Sequence, residues 1–179
     1  PVERALLAGD PTTGVCLMAV AEGLDVGGVR ARVEVPIRPT DTADGLRERL
    51  AVLGARLLVD ALDGGLSAPV PQEGIATYAH KLHRADLVLE WGRSAMELER
   101  VVRVGGAWTT FRGGDLKVWS AEVVDEAVSG PPGTMSGDLV ATGARSLRLL
   151  EVQPANRSRM EASSWLGGAR PSAGEGLGG

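Results

Sequence analysis

The run Glu22-Gly23-Leu24-Asp25-Val26-Gly27-Gly28 sets two carboxylates among three glycines. It follows an apolar stretch, Val15-Cys16-Leu17-Met18-Ala19-Val20, and precedes an alternating one from Val29 to Ile37. A carboxylate between glycines at the mouth of two strands can sit close to a ligand, because glycine lets the backbone approach. Strand ends are also where open α/β sheets build their sites. A carboxylate placed there orients or charge-balances a histidine, or relays a proton. The plainer reading of the same residues is a Gly-rich, hairpin-like loop with a solvated Asp25.

Other chemistry-bearing residues are sparse. His80 and His83 are two ligands with no nearby cysteine or third histidine, so a metal is not expected and both read as surface residues. Cys16 is the only cysteine, which excludes an internal disulfide; in an apolar strand it reads as a buried, inert thiol. Trp91, Trp108, Trp119 and Trp165 have two readings, stacking surfaces for bases or core residues with satisfied indole N–H groups, and the core reading is preferred. The net charge of −4 does not announce nucleic acid. Residues 1–66 hold 7 Lys/Arg and 10 Asp/Glu, and residues 67–179 hold 12 and 13. Within 139–170, however, five arginines (145, 148, 157, 159, 170) face only Glu151 and Glu161. That local excess is read either as phosphate contacts or as a solvated face. Lys81 has the same two readings.

The elements that position these residues follow from spacing. Residues 14–20 read as a buried strand. In 29–37, Val29, Ala31, Val33, Val35 and Ile37 face one way and Arg30, Arg32, Glu34 and Pro36 the other. Thr40-Asp41-Thr42 offers N-cap oxygens to a helix carrying Leu46, Leu50, Leu53 and Leu57, with Leu58 and Leu62 widening the stripe. Gly64-Gly65 ends it. Residues 67–81, with Pro69 and Pro71, read as an extended linker. Ser94-Ala95-Met96-Glu97 is a capping box opening a short helix. Strand signals follow near 107–111, 115–124, 138–142 and 146–152, and a short amphipathic segment at 160–166. The spacing of these strands suggests a small barrel or sandwich. The Gly/Ser/Ala-rich segment 171–179 reads as disordered. No apolar run approaches the roughly 18 residues of a membrane span. The chain starts at Pro1, not Met, and is read as a fragment, a processed product or an incomplete gene model.

Pro1-Val2-Glu3-Arg4-Ala5, Gly9-Asp10, Thr13-Gly14-Val15 and Glu22-Gly23-Leu24-Asp25 occur in one order and spacing that resembles the folate-dependent formyltransferases, and within them the branch that acts on methionyl-tRNA. Tyr78-Ala79-His80-Lys81-Leu82 looks like that branch's linker motif. Gly106-Ala107-Trp108-Thr109-Thr110, Leu116-Lys117-Val118-Trp119, Pro132-Gly133-Thr134, Ala141-Thr142-Gly143, Leu149 to Pro154 and Trp165-Leu166-Gly167-Gly168-Ala169 also match. Two places depart from the family pattern: Val26 and Gly28 stand where Thr and Asp are usual, and the Pro-rich turn before Gly106 is missing.

The resemblance implies an α/β fragment, the end of a Rossmann-like formyltransferase domain (1–66), then a linker (67–81), an OB-like β-barrel that binds tRNA (82–170) and a disordered tail (171–179). It implies formyl transfer from 10-formyltetrahydrofolate, as formyl-donor substrate, to the amino group of methionyl-initiator-tRNA, by a cytoplasmic monomer without metal or membrane association. Asp25 is then the catalytic carboxylate, Glu22, Gly23 and Leu24 lie at the donor, and Lys81, Arg145, Arg148, Arg157 and Arg159 contact tRNA. The family's catalytic Asn and His belong to a loop upstream of Pro1, so the fragment itself is expected to be inactive. Two alternatives stand beside this: a folate-dependent formyltransferase acting on a sugar amine, and a non-catalytic RNA-binding module.

Overall fold

Glycine and hydroxyl punctuation sets the first elements. In a computed structural model, which describes every residue except Leu24, Ala76 and Ala173, the chain divides into two units, Pro1–His80 and Lys81–Gly179. In the first, helix α1 (Val2–Ala8) ends at Gly9, whose φ of 75° gives the left-handed turn that glycine adopts without strain. Strands β1 (Thr12–Met18) and β2 (Val29–Pro36) pair antiparallel, with Val15 opposite Val33. Helix α2 (Ala43–Asp63) starts at Thr42, whose hydroxyl accepts from the Gly45 N–H at 3.2 Å, and ends at Gly64. It lies on one face of the two-stranded sheet and buries Ala43, Leu46 and Leu50. Gly54 permits this approach, since a Cβ there would sit 3.1 Å from a Val15 methyl.

The expected strand–loop–strand–helix order is present, with β1 and β2 an antiparallel pair, and the unit is mixed α/β. Two expectations change here. The 14–20 strand is only half-buried and Cys16 is exposed, because α2 covers one face of a sheet two strands wide and Cys16 alternates onto the other. The 67–81 segment is not a free tether throughout. Val70 exchanges two backbone hydrogen bonds with Val29, at 2.7 and 2.9 Å, and Ser67 Oγ donates to the Arg30 carbonyl. A broad-specificity protease is therefore expected to cut between Glu73 and Lys81, whose described residues are exposed and lie outside the Val29–Val70 pairing, and to leave a stable Lys81–Gly179 piece; cleavage inside 67–72 would contradict this.

The second unit opens with a 3₁₀ turn (Arg84–Leu87) and helix α3 (Ala95–Val104). The expected capping box is present: Ser94 Oγ accepts from the Glu97 N–H and the Glu97 carboxylate accepts from the Ser94 N–H at 3.0 Å. The Ser94 hydroxyl and N–H, with Arg93 beyond them, hold the Glu97 carboxyl down to about 2. Helix α3 buries Leu98, Val101 and Val102 against a six-stranded antiparallel sheet. Its strands are β3 (Trp108–Phe111), β4 (Gly114–Val124), β5 (Met135–Ser136), β6 (Leu139–Ala141), β7 (Ser146–Pro154) and β8 (Met160–Glu161). The order is β3-β4-β7-β6-β5, with β8 on β7, and helix α4 (Ala162–Ala169) follows.

The expected OB-like barrel is not closed: β3 and β5 are edges and do not pair among the described residues. The segment expected to be disordered stands between them. The Met135 N–H donates to Glu175 O and the Gly178 N–H to Thr110 O, both at 2.9 Å, so the tail reaches both sheet edges. Leu177 is 5% exposed, and Glu175 takes a bidentate grip from Arg112 at 2.6 and 2.8 Å. One buried leucine and one forked ion pair fix a stretch whose glycine content alone reads as disorder.

Candidate functional site

The acidic loop is built by its ends. The Ala19 N–H donates to the Gly28 carbonyl at 2.9 Å, extending the β1–β2 ladder, and the intervening residues turn outward. Gly27 is buried, and a Cβ on it would lie 1.8 Å from the Ala19 carbonyl oxygen, so only glycine fits. Asp25 has φ of 57°, in the left-handed region that Asp and Asn tolerate best among residues with a Cβ. One side chain holds this shape from 47 positions away. Gln72 Nε2 donates to the Asp25 carbonyl at 2.8 Å and to the Gly27 carbonyl at 2.9 Å. Among the described residues the Asp25 carboxylate itself has no hydrogen-bond partner, and the residue is exposed, as are Val20 and Val26 at 102% and 65%. A held backbone thus presents an exposed carboxylate that no described residue engages. Glu22 and Gly23 are exposed on the same loop, and Leu24 lies outside the described residues.

Nothing in the periodicity of residues 67–80 marked Gln72; its role follows from two carbonyls that the turn at Asp25 leaves without ladder partners.

In the second unit the basic residues separate into two kinds. Arg145, itself at φ of 65°, pairs with Asp125 at 3.3 Å. Arg148 is ringed by Glu122, Glu126 and Asp138 at 2.7, 3.1 and 3.7 Å. Arg159 pairs with Glu151. Arg157 and Lys81 are exposed. The arginine excess between 139 and 170 is thus largely answered by carboxylates from elsewhere in the sequence. A cavity of about 480 Å³ also opens in this unit, lined by Trp91, Trp108, Thr109 and Leu177 among others, and none of the residues singled out for catalysis or tRNA contact lines it. Trp91 and Trp165 are core, 5% and 6% exposed, with the Trp91 Nε1–H donating to Thr109 Oγ1. Trp108 and Trp119 are half-buried. Among the described residues no group of three or more His, Cys, Asp or Glu is placed to hold a metal, and no helix is long and apolar enough to cross a membrane.

Two family models match, "Formyl transferase" over residues 1–62 and "Formyl transferase, C-terminal domain" over residues 81–170. The chain belongs to the formyl transferase family. The two matched stretches fall one in each unit, and the first includes the acidic loop. Among relatives, the methionyl-tRNA formyltransferase of Carboxydothermus hydrogenoformans is 39% identical over 98% of this chain and 61% of its own length. That of Dechloromonas aromatica is 41% identical over 94% and 57%. The chain therefore spans about three fifths of the length of the curated relatives it matches. Among solved structures, HypX from Aquifex aeolicus in complex with tetrahydrofolic acid aligns with a TM-score of 0.70 at 16% identity, over 97% of this chain and 33% of that one. Methionyl-tRNA formyltransferase from Clostridium thermocellum aligns at 0.58 and 16%, over 69% and 56%. At those identities the likeness is one of fold, a formyl transferase mixed α/β unit joined to a β-sheet unit.

Proposed function

We propose that the protein to which this chain belongs transfers a formyl group from 10-formyltetrahydrofolate to the amino group of methionyl-initiator-tRNA in the cytoplasm, in translation initiation. The observation that carries the reading is the reach of the relationship: relatives that bear the name methionyl-tRNA formyltransferase match at about 40% through both units. The donor supplies an activated formyl carbonyl, and the amine that attacks it must lose a proton as the new C–N bond forms. Asp25 is the residue here that serves this proton, by orienting and charge-balancing a histidine or by relaying the proton through it. The exposed loop fits such a donor in two respects. Val20 and Val26 are exposed apolar residues of the same loop, and the Glu22-Gly23 backbone is open to close approach. The histidines of this chain are His80 and His83, and its asparagine is Asn156, and none of them belongs to the Glu22–Gly28 loop. We infer that these 179 residues alone do not carry out formylation.

In this reading the open sheet of the second unit is an OB-like, tRNA-contacting surface, and Lys81, Arg145, Arg148, Arg157 and Arg159 meet phosphates. Their ion pairs rank them. Exposed Arg157 contributes most, while Arg148 must first leave three carboxylates. Titrating the chain with initiator and elongator tRNAs at two salt concentrations tests this. Affinity is expected to fall roughly tenfold between 50 and 200 mM salt for two phosphate contacts, and Arg157→Ala to flatten the salt slope by about one without changing which tRNA is preferred. Salt-insensitive binding would refute the assignment.

A further inference from the structure

Trp119 stands where the sheet is irregular. Val118 pairs with Val152 and Ser120 with Glu151, so Trp119 has no register partner on β7, and the ladder recovers by leaving Leu150 unpaired. Such slips re-aim a side chain away from the regular pleat. The ring is then held from its polar edge: Nε1–H donates to Gln153 Oε1 at 3.0 Å, and the Gln153 amide donates in turn to the Arg157 carbonyl at 2.9 Å. With its N–H satisfied inside the protein, the indole has only its π surface to offer outward. Two cations attend that surface, the Arg159 guanidinium at 5.2 Å and the Lys117 ammonium at 5.9 Å from the ring centroid. Arg157, exposed, stands on the same turn whose carbonyl fixes Gln153.

The other three tryptophans differ. Trp91 and Trp165 are core. Trp108 has Arg84 at 4.1 Å over its ring, and that arginine is pinned to Asp115 at 2.6 Å. Among the described residues, Arg159 is the one cation around Trp119 with a carboxylate partner, Glu151. A half-exposed, orientation-locked indole with two cations over its ring has the composition of a stacking site for single-stranded nucleic acid, where the ring takes a base as the cations turn to flanking phosphates.

We propose that Trp119 is a stacking platform for one unpaired base of the bound RNA, with Lys117 and Arg157 on the adjacent phosphates and Arg159 closing over the ring edge. The proposal rests on the reading of this chain as part of a tRNA-acting enzyme and adds to it a contact that tolerates any base, since every base has a π face. The test uses the full chain with tRNA, a short single-stranded oligoribonucleotide and a duplex RNA without unpaired bases. Trp119→Ala is expected to weaken tRNA and single-strand binding roughly tenfold, to leave duplex binding unchanged and to leave the salt slope unchanged. Trp119→Phe, which keeps a ring, restores most of the affinity. Tryptophan emission quenched by the single strand in the wild-type chain is retained in Trp108→Phe and lost in Trp119→Phe. If Trp119→Ala binds tRNA as the wild type does while Arg157→Ala weakens it, the stacking site is refuted and the phosphate contacts stand. If the wild-type chain binds no tRNA at all, the RNA reading falls and the platform with it.

Discussion

In a formylation-competent enzyme carrying this sequence, Asp25→Asn is expected to lower turnover by roughly 10²–10⁴, the usual range for a lost acid–base partner. The substitution isolates chemistry from architecture. Asparagine adopts the left-handed backbone that Asp25 holds at φ of 57°, and the bond from Gln72 is made to the backbone carbonyl, which the change does not touch. The loop should keep its shape while losing its charge. The loss is accordingly expected in kcat, with KM for tRNA little altered, because the affected interaction belongs to the proton in flight and not to the bound RNA. Steady-state kinetics on both substrates measure it. Turnover within about threefold of the wild type would remove Asp25 from the mechanism.

Deleting Gly174–Gly179 is expected to lower the melting temperature of the second unit by roughly 10 °C. Burial of Leu177 alone corresponds to about 2 kcal/mol, and each kcal/mol moves a domain of this size by about 4–8 °C. The backbone bonds from Met135 and Gly178, and the grip of Arg112 on Glu175, act in the same direction. The contribution of Glu175 has a defined pH window. Its carboxyl is held down to about 2, first by the Arg112 guanidinium and then by the Ser172 N–H. A depressed carboxylate stabilises above its unfolded value and loses that effect only as pH falls through the folded value. Between pH 5 and 8 the docking should therefore be flat, with loss confined to strongly acid solution. Calorimetry on the truncated chain and on Leu177→Ala checks this, and a melting temperature unchanged by both would show that the tail is not seated.

Much of the second unit was legible from its punctuation. The Ser94–Glu97 box and the apolar spacing of Leu98, Val101 and Val102 fix α3, and turn residues bracket β4 and β7 within one or two residues. Local rules suffice where partners are four residues apart or less. They fail where the partner is distant. The arginine surplus was counted along the chain, but antiparallel pairing sets Glu122 directly opposite Arg148, and no window centred on Arg148 contains it. The docking of Glu175 on Arg112 spans 63 positions and hides in a segment whose composition reads as disorder. Cys16 misled for a different reason: an apolar strand reads as buried on both faces, whereas β1 in this chain has a helix on one face only. At the acidic loop the glycines and Asp25 were visible in sequence, and the amide that shapes them was not.

The double bond from Gln72 has a consequence for portability. A loop fixed only by its own turn can be transplanted between scaffolds as one contiguous cassette. The acidic loop here cannot. Its backbone geometry is specified jointly by residues 12–36 and by the stretch from Ser67 to Gln72, which returns along β2 after the whole of α2 has intervened. A chimera that borrows the hairpin alone carries the aspartate but releases the Asp25 and Gly27 carbonyls to water, and the backbone that presents the carboxylate then loses its defined course. The smallest transferable piece is discontinuous, two strands and a returning coil, and swaps that break between α2 and Gln72 should inherit the sequence of the site without its aim.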